Sequence, residues 1–269
     1  MMPSVLPPLS SYGFSLVELS IVLVILGLLT GGILGGQSLI KAAELRAIGT
    51  EYETYQIAIN TFKQKYFAAP GDMTNATSFW GRADNGSFSG QCGDPAGDEG
   101  EGTETCNGDG NGLVGEWTPS AYYEAFRFWQ HLANAGLIAG TYTGVPGDGG
   151  YAQHIDGENS PASKYSGGGW SIEEIHDHGG DSNFYAIDYG NYLELGAATA
   201  LSCHEGPLLT PEEVWHIDTK VDDGKPGKGR VIAGNWGDCT LAANANDTES
   251  DYDLSRSDEV CFVSFIKVF

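Results

Sequence analysis

The hydrophobic residues at the start of the chain form a continuous run, whereas those that follow recur periodically. From Phe14 to Gly36 the sequence has a single charged side chain, Glu18. At about 1.5 Å per residue, a helix of this length crosses a hydrocarbon layer of about 30 Å. The pattern therefore predicts a membrane-spanning helix over 14–36 with one carboxylate near its start.

Between 37 and 67 the apolar residues recur mostly at steps of three and four, which predicts an amphipathic continuation of the same helix. These positions are Ile40, Ala43, Ile48, Tyr52, Tyr55, Ile59, Phe62 and Tyr66. Pro70-Gly71 ends the pattern, since proline lacks the amide hydrogen that continues a helix. We expect the aromatic-rich face of this segment to pack on the domain that follows.

The region 68–269 is expected to form one head domain. Glycine accounts for 39 of the 269 residues and charged side chains for 18%, a composition typical of a loop-rich domain that contains β-structure. Helices are predicted at 119–136, which Gly136 ends, and at 210–221, where Thr210 precedes a proline and two acids.

Strands are predicted in the second half of the head. Phe184–Tyr189 and Tyr192–Leu195 flank a Gly190-Asn191 turn, a pattern typical of a hairpin, and the apolar residues of 260–269 predict a last strand. The expected fold class is α+β: a long N-terminal membrane-spanning helix packed on a C-terminal head with an antiparallel β-sheet, short helices and long loops.

The carboxylate of Glu18 needs a proton or a cation that neutralises its charge. A carboxylate within an apolar membrane helix costs at least about 2.5–3.5 kcal/mol, so it is either protonated or matched by a cation. No Lys or Arg lies near it in the sequence. Cleavage after Gly13 would create an amine at Phe14. Between the helices of adjacent copies, that amine would neutralise Glu18 and fix the offset of the two helices.

The order Gly13, Phe14, Ser-Leu-Val-Glu18 and a long apolar run resembles the processing site of type IV pilins and type II secretion pseudopilins. Segments 69–81 and 217–226 also resemble parts of large pilin-like proteins. The resemblance implies that prepilin peptidase removes the leader 1–13 and methylates Phe14, and that Glu18 guides assembly into a filament. It also implies a pilin-like fold, a head in the periplasm and a helix in the inner membrane before assembly, then a surface pilus or a periplasmic pseudopilus.

The leader contains no Lys or Arg, whereas leaders of this family usually carry a basic residue. Removal of 13 residues from 269 leaves 256, a size that favours a minor pilin, a pseudopilin or a tip adhesin. Glycines 31, 32, 35 and 36 have two interpretations. They permit close packing with neighbouring helices, or, as the resemblance implies, a local unwinding.

The alternative class is a membrane-anchored adhesin, metal-binding receptor or enzyme that uses the helix only as a tether. The sequence has no G-x-S-x-G elbow, Walker loop or dinucleotide fingerprint, so we expect no enzymatic activity. The formal net charge of −23 makes nucleic acid an unexpected partner. The same charge makes copies of the subunit repel one another unless cations intervene.

Residues 107–114, Asn-Gly-Asp-Gly-Asn-Gly-Leu-Val, place oxygen side chains at alternate positions before a glycine. This is the first half of an EF-hand-like calcium loop, although Thr118 stands where that loop has its bidentate Glu. We expect Asn107, Asp109, Asn111 and Glu116 to hold calcium, which the family resemblance also implies. The alternative is a solvated acidic turn.

Two histidines, His176 and His178, could share a metal with His154 or Asp181, but their spacing favours a surface loop. Of the five cysteines, Cys92 with Cys106 and Cys239 with Cys261 are the pairs closest in sequence. That choice leaves Cys203 free, and the pairing of Cys203 with Cys239 stays open. Cysteines in an exported chain favour an oxidising compartment.

Overall fold

The computed structural model describes residues 15–83, 100–115, 122–147, 153–175, 183–200 and 202–269. The chain divides into two compact units, Met1–Ala43 and Glu44–Phe269. Helix α1, Leu16–Tyr66, has 51 residues and belongs to both units. It runs through all four glycines at 31, 32, 35 and 36 without interruption.

In the first unit, the described apolar side chains of α1 are exposed. Leu16 is 86% exposed, Leu28 73% and Leu39 73%. This segment is long and apolar enough to cross a membrane, and no other helix among the described residues has that property. The predicted apolar helix is confirmed in length and composition. Ile40 and Ala43, which we expected on the packed face, are exposed.

In the second unit, the same helix packs on an antiparallel sheet. The strands are β1 Gly169–Ile175, β2 Gly190–Gly196, β3 Val231–Ala233 and β4 Val263–Phe265, in the order β1-β2-β4-β3. The register pairs Trp170 with Leu195, and Phe265 with both Leu193 and Val231. The α+β class is therefore confirmed.

One face of the sheet forms the main core with α1. Tyr52 stacks on Phe265 with ring centroids 4.3 Å apart, and Tyr55 meets Trp170 edge-on at 5.4 Å. Ile59 and Phe62 are fully buried one and two turns further along the helix. At about 25 cal/mol per Å² of apolar area, this aromatic interface is a large stabilising contribution to the second unit.

Glu51 anchors α1 by hydrogen bonds. Its Oε2 accepts from Trp170 Nε1 at 2.9 Å and from Ser163 Oγ at 2.8 Å, and its Oε1 accepts from the backbone amide of Lys164 at 2.8 Å. The carboxylate is thus buried at the helix–sheet interface with a donor on each oxygen, as a buried charge requires.

The opposite face of the sheet packs on a smaller aromatic cluster and carries buried acids. Glu194 on β2 is fully buried, and neither of its oxygens accepts a hydrogen bond of ordinary geometry within the described residues. Burial raises its pKa well above the ordinary value, as do the neighbouring carboxylates Glu173 and Glu205. Burial likewise raises the pKa of Glu173, although Cys203 and Tyr192 oppose this shift.

The remaining helices are α2 Thr77–Trp80, α3 Tyr122–Asn134, α4 Pro211–Val221 and α5 Trp236–Cys239. Helix α3 lies within the predicted 119–136. Helix α4 begins at a capping box in which Thr210 accepts from the Glu213 amide and the Glu213 side chain accepts from the Thr210 amide, so the expected N-cap is confirmed.

The predicted hairpin is wrong in its pairing. Strand β2 does begin at the Gly190-Asn191 turn, but its partners are β1 and β4. Residues 184–189 form no strand, because Phe184, Tyr185 and Tyr189 bury their rings in the cluster on the opposite face. Strand β1 was not predicted.

Cys239 and Cys261 form a disulfide, which confirms that pairing and excludes the bond between Cys203 and Cys239. Cys203 is free and buried. Cys106 is disulfide-bonded, while its predicted partner, Cys92, lies outside the described residues. The two histidines at 176 and 178 and Asp181 also lie outside them; His154 is buried against Phe126.

Candidate functional site

The start of α1 holds the residues that the sequence singles out for processing and assembly. Gly13 and Phe14 lie outside the described residues. Glu18 lies in the first turn of the helix, where its Oε2 accepts a hydrogen bond from the backbone amide of Ser15 at 2.8 Å. The Ser15 hydroxyl accepts from the Val17 amide at 3.2 Å.

The Ser15 hydroxyl thus caps the start of the helix through the Val17 amide, and the Glu18 carboxylate accepts from the Ser15 amide, which is one of the two hydrogen bonds of a capping box. The sequence analysis did not foresee it, although Ser-Leu-Val-Glu has the required spacing. The carboxylate is exposed and keeps acceptor capacity for a second donor. Within the described residues no cation forms an ion pair with it.

A second site lies in the head, where three carboxylates from separate parts of the chain converge. Asp72 follows α1, Asp109 belongs to the glycine-rich loop 106–115, and Glu124 lies in the first turn of α3. One carboxylate oxygen of each lies within 4.8 Å of those of the other two. We call this group the acidic triad. Asp72 and Glu124 are buried, whereas Asp109 is exposed.

Backbone amides hold the acidic triad in place. The Gly112 amide donates to Asp72 Oδ2 at 3.0 Å, and the Asp109 amide donates to Glu124 Oε1 at 2.7 Å. The other oxygen of Asp72, Oδ1, is buried and accepts no hydrogen bond from the described residues. Burial raises the pKa of Asp72, and the amides of Gly112 and Gly110 oppose that shift.

Two glycines allow the three segments to approach each other. A Cβ at Gly108 would overlap the backbone of Asp72. Gly71 has φ +83°, in the left-handed region that favours glycine, and a Cβ there would overlap the carbonyl oxygen of Glu124. The close contact of the loop, the turn after α1 and helix α3 therefore depends on the absence of side chains at both positions.

Of the four residues that the sequence predicted as calcium ligands, one belongs to the acidic triad, two accept hydrogen bonds from backbone amides, and one lies outside the described residues. Asp109 belongs to the acidic triad. The Asn107 side chain accepts instead from the Thr77 amide at 2.9 Å, and Asn111 Oδ1 accepts from the Leu113 amide at 2.7 Å. Glu116 lies outside the described residues. Calcium binding by the four predicted residues stays a prediction.

Sequence reasoning missed Asp72 and Glu124. Each lies in a segment to which we gave another role, Asp72 in the turn after the long helix and Glu124 in a predicted helix. No local spacing relates them to Asp109. The glycines Gly71 and Gly108 are a signal of close approach, and its meaning depends on which segments meet in the fold.

Another acidic group, formed by Asp218 in α4 and by Asp222 and Asp223 after it, has a different environment. We call it the second triad. Asp218 Oδ1 accepts from the Gly224 amide at 3.1 Å and its Oδ2 from the Tyr252 hydroxyl at 2.8 Å. Asp222 Oδ2 accepts from the backbone amide of Arg230. The two oxygens of its buried member therefore both have protein donors.

Comparisons with known proteins give no match to this chain: no family model, no curated protein and no solved structure matches it.

Proposed function

We propose that this chain is a structural subunit, a minor pilin or pseudopilin, of a type IV pilus or a type II secretion pseudopilus. Prepilin peptidase would remove residues 1–13 in the inner membrane, and the mature chain would join other pilin or pseudopilin subunits through its N-terminal helix. The head would lie in the periplasm before assembly. The single observation that carries the proposal is the exposed apolar first segment of α1 with Glu18 as its one acid.

The exposed apolar side chains of that segment need a nonpolar environment. A lipid bilayer supplies one before assembly, and packing among the same segments of neighbouring copies supplies one afterwards. The resemblance at Gly13, Phe14 and Glu18 supports the second environment, because a helix used only as a tether has no need of an acid at this position.

The hydrogen bond that Glu18 accepts at the start of α1 is compatible with this role. The donor is a backbone amide of the same helix end, which orients the carboxylate without neutralising its charge. An incoming Phe14 amine from a neighbouring copy would supply the opposite charge. Since an uncompensated charge in hydrocarbon is costly, that pairing would favour one offset between adjacent helices.

The test replaces Glu18 by glutamine in bacterial cells that carry the cognate assembly machinery. Glu18→Gln keeps an acceptor for the Ser15 amide but removes the charge. We expect the variant to reach the membrane at the normal level and to be absent from sheared filaments. Glu53→Gln, at an exposed glutamate of the same helix, is the matched control and should assemble normally.

Normal assembly of Glu18→Gln would contradict the proposal. It would favour the tether class, in which the head acts as an adhesin, receptor or enzyme and the helix only holds it at the membrane.

A further inference from the structure

We propose that a groove in the second unit, between α1 and α4, binds an acidic segment of a second copy of this chain. Two adjoining cavities of about 290 and 410 Å³ form the groove, and Glu53, Lys220 and Val221 line both of them. We call it the α1–α4 groove. The proposal rests on the proposed function in one respect, because assembly brings copies of the chain together, and it adds a contact outside the membrane helix.

The α1–α4 groove is positively charged on an acidic molecule. Three cations, Arg46, Lys220 and Arg230, line it against one acid, Glu53. In the whole chain, 36 acids outnumber 13 Lys and Arg residues. Because like charges elsewhere on two copies repel while opposite charges attract, the groove is a favourable place for the acidic surface of a second copy to dock.

The polar groups of the groove have donors to spare for a carboxylate. Within the described residues, neither Arg46 nor Lys220 forms an ion pair. One nitrogen of the Arg230 guanidinium donates to the Tyr52 hydroxyl at 2.7 Å, which leaves its other N–H groups for a ligand. Gln56 Nε2 is buried and has no hydrogen-bond partner among the described residues. A carboxylate in the groove would accept charge-assisted hydrogen bonds from these donors.

Apolar side chains form part of the same lining. Ile57 is 67% exposed on α1, and Leu45 and Val221 are partly buried. Covering such side chains is favourable, because it removes apolar area from water. The occupant that fits the groove therefore carries an apolar side chain beside its acids.

The segment 247–259 of a second copy has this combination. Among its 13 residues are six acids and one arginine. Its acids are Asp247, Glu249, Asp251, Asp253, Asp258 and Glu259. Leu254, near the middle of the segment, is 52% exposed. Glu259 is exposed and forms no ion pair with another described residue. The segment thus offers both carboxylates and an aliphatic side chain to the α1–α4 groove of its neighbour.

The test is sedimentation velocity of the purified full chain in micelles of a non-ionic detergent, with residues 1–13 still attached. Without cleavage the Phe14 amine does not exist, so the proposed pairing of Glu18 cannot contribute to the result. At about 0.1 M salt, where charges further apart than about 10 Å are largely screened, we expect the chains to associate as their concentration rises.

Two charge reversals on α1 and α4 locate the contact. Lys220→Glu changes a residue that lines both cavities and should weaken association by about tenfold or more, because like charges then face each other. Lys65→Glu makes the same change in net charge at an exposed lysine of α1 outside the groove. This matched control should associate as the natural chain does.

A mixing experiment covers the case in which one variant folds poorly. Glu259→Lys, in the acidic segment, should also weaken association by itself. An equimolar mixture of Lys220→Glu and Glu259→Lys should regain it, because the reversed groove of one variant then faces the reversed segment of the other. Poor folding of either variant would not produce this recovery.

The proposal is overturned if the natural chain stays monomeric up to about 300 µM, if Lys220→Glu associates as tightly as the natural chain, or if Lys65→Glu weakens association equally. Association with another pilin subunit but not with itself would also overturn it, because the occupant would then be a different chain. None of these results bears on cleavage at Gly13, which N-terminal sequencing tests separately.

Discussion

The two segments of helix α1 treat their apolar side chains in opposite ways. Before Ala43 the leucine, isoleucine and valine side chains that the structure describes are exposed, whereas Ile48, Ile59 and Phe62 are fully buried in the second unit. The head thus buries one face of the second segment, whereas Ile57 on another face is 67% exposed. A continuous apolar run and a periodic one therefore indicate different partners: other molecules in one case and the same chain in the other.

The glutamates of the helix show the same difference. Glu51 has three donors from the head, two of them side chains. Glu18 has one backbone donor, three residues away in its own helix. Donors within the head satisfy the carboxylate of Glu51. The charge of Glu18 needs a partner from the surroundings of the membrane helix.

The largest effect should come from the buried segment. Phe62→Ala removes a fully buried ring and should lower the free energy of unfolding of the head by about 3–5 kcal/mol. Leu23→Ala, at an exposed position of the first segment, should change it by less than about 0.5 kcal/mol. Denaturant titration in micelles, followed by tryptophan fluorescence, measures both. Equal changes in the free energy of unfolding for the two variants would contradict the difference between the two segments of α1.

A smaller effect is expected at Glu51. Glu51→Ala leaves the indole N–H of Trp170 buried without its acceptor, so the head should lose about 2–3 kcal/mol of stability. Glu53→Ala, at an exposed position two residues further on, is the matched control and should stay within about 0.5 kcal/mol of the natural chain. If Glu51→Ala were as mild as its control, the hydrogen bonds of Glu51 would not anchor the helix.

A pH-dependent effect sharpens the comparison, because the two buried oxygens of Glu194 in the head accept no hydrogen bond of ordinary geometry within the described residues. The raised pKa of Glu194 means that the folded state binds a proton more tightly than the unfolded state. The resulting stability is complete below the unfolded pKa of about 4.3 and is lost as pH rises toward the folded value.

Glu194→Gln does not titrate, so its stability relative to the natural chain should be more favourable at pH 8 than at pH 5. Thermal melting at the two pH values, at one fixed Ca²⁺ concentration, measures the difference. Glu259→Gln, at an exposed glutamate, should show no such change. A pH dependence identical to that of the natural chain would mean that Glu194 is not the group that titrates.

Local patterns predicted the elements that depend on neighbours in sequence. The long helix, the helices at 122–134 and 211–221 and the disulfide between Cys239 and Cys261 follow from periodicity, capping residues and proximity. Strand β1 was not predicted from local patterns, because both of its faces are buried. Its residues Ser171, Glu173 and Glu174 therefore lie inside the head, against the polar-outside pattern that identifies a strand.

The head site was predictable only in part for a similar reason. Asp109 belongs to a loop with recognisable spacing, whereas Asp72 and Glu124 join it through tertiary contacts that two glycines permit. The sequence likewise did not predict the hydrogen bonds of Asn107 and Asn111 within the head. Alternate spacing of oxygen side chains does not distinguish metal ligands from side chains that fix a turn.

The most direct test of the proposed filament role is the N-terminus of the chain isolated from bacterial membranes that contain a prepilin peptidase. Intact-mass spectrometry with N-terminal sequencing should find a chain that begins at Phe14 and carries one added methyl group on its amine. Assembled protein that still carries residues 1–13, or that begins at another residue, would contradict the account, because the amine proposed to match Glu18 would not exist.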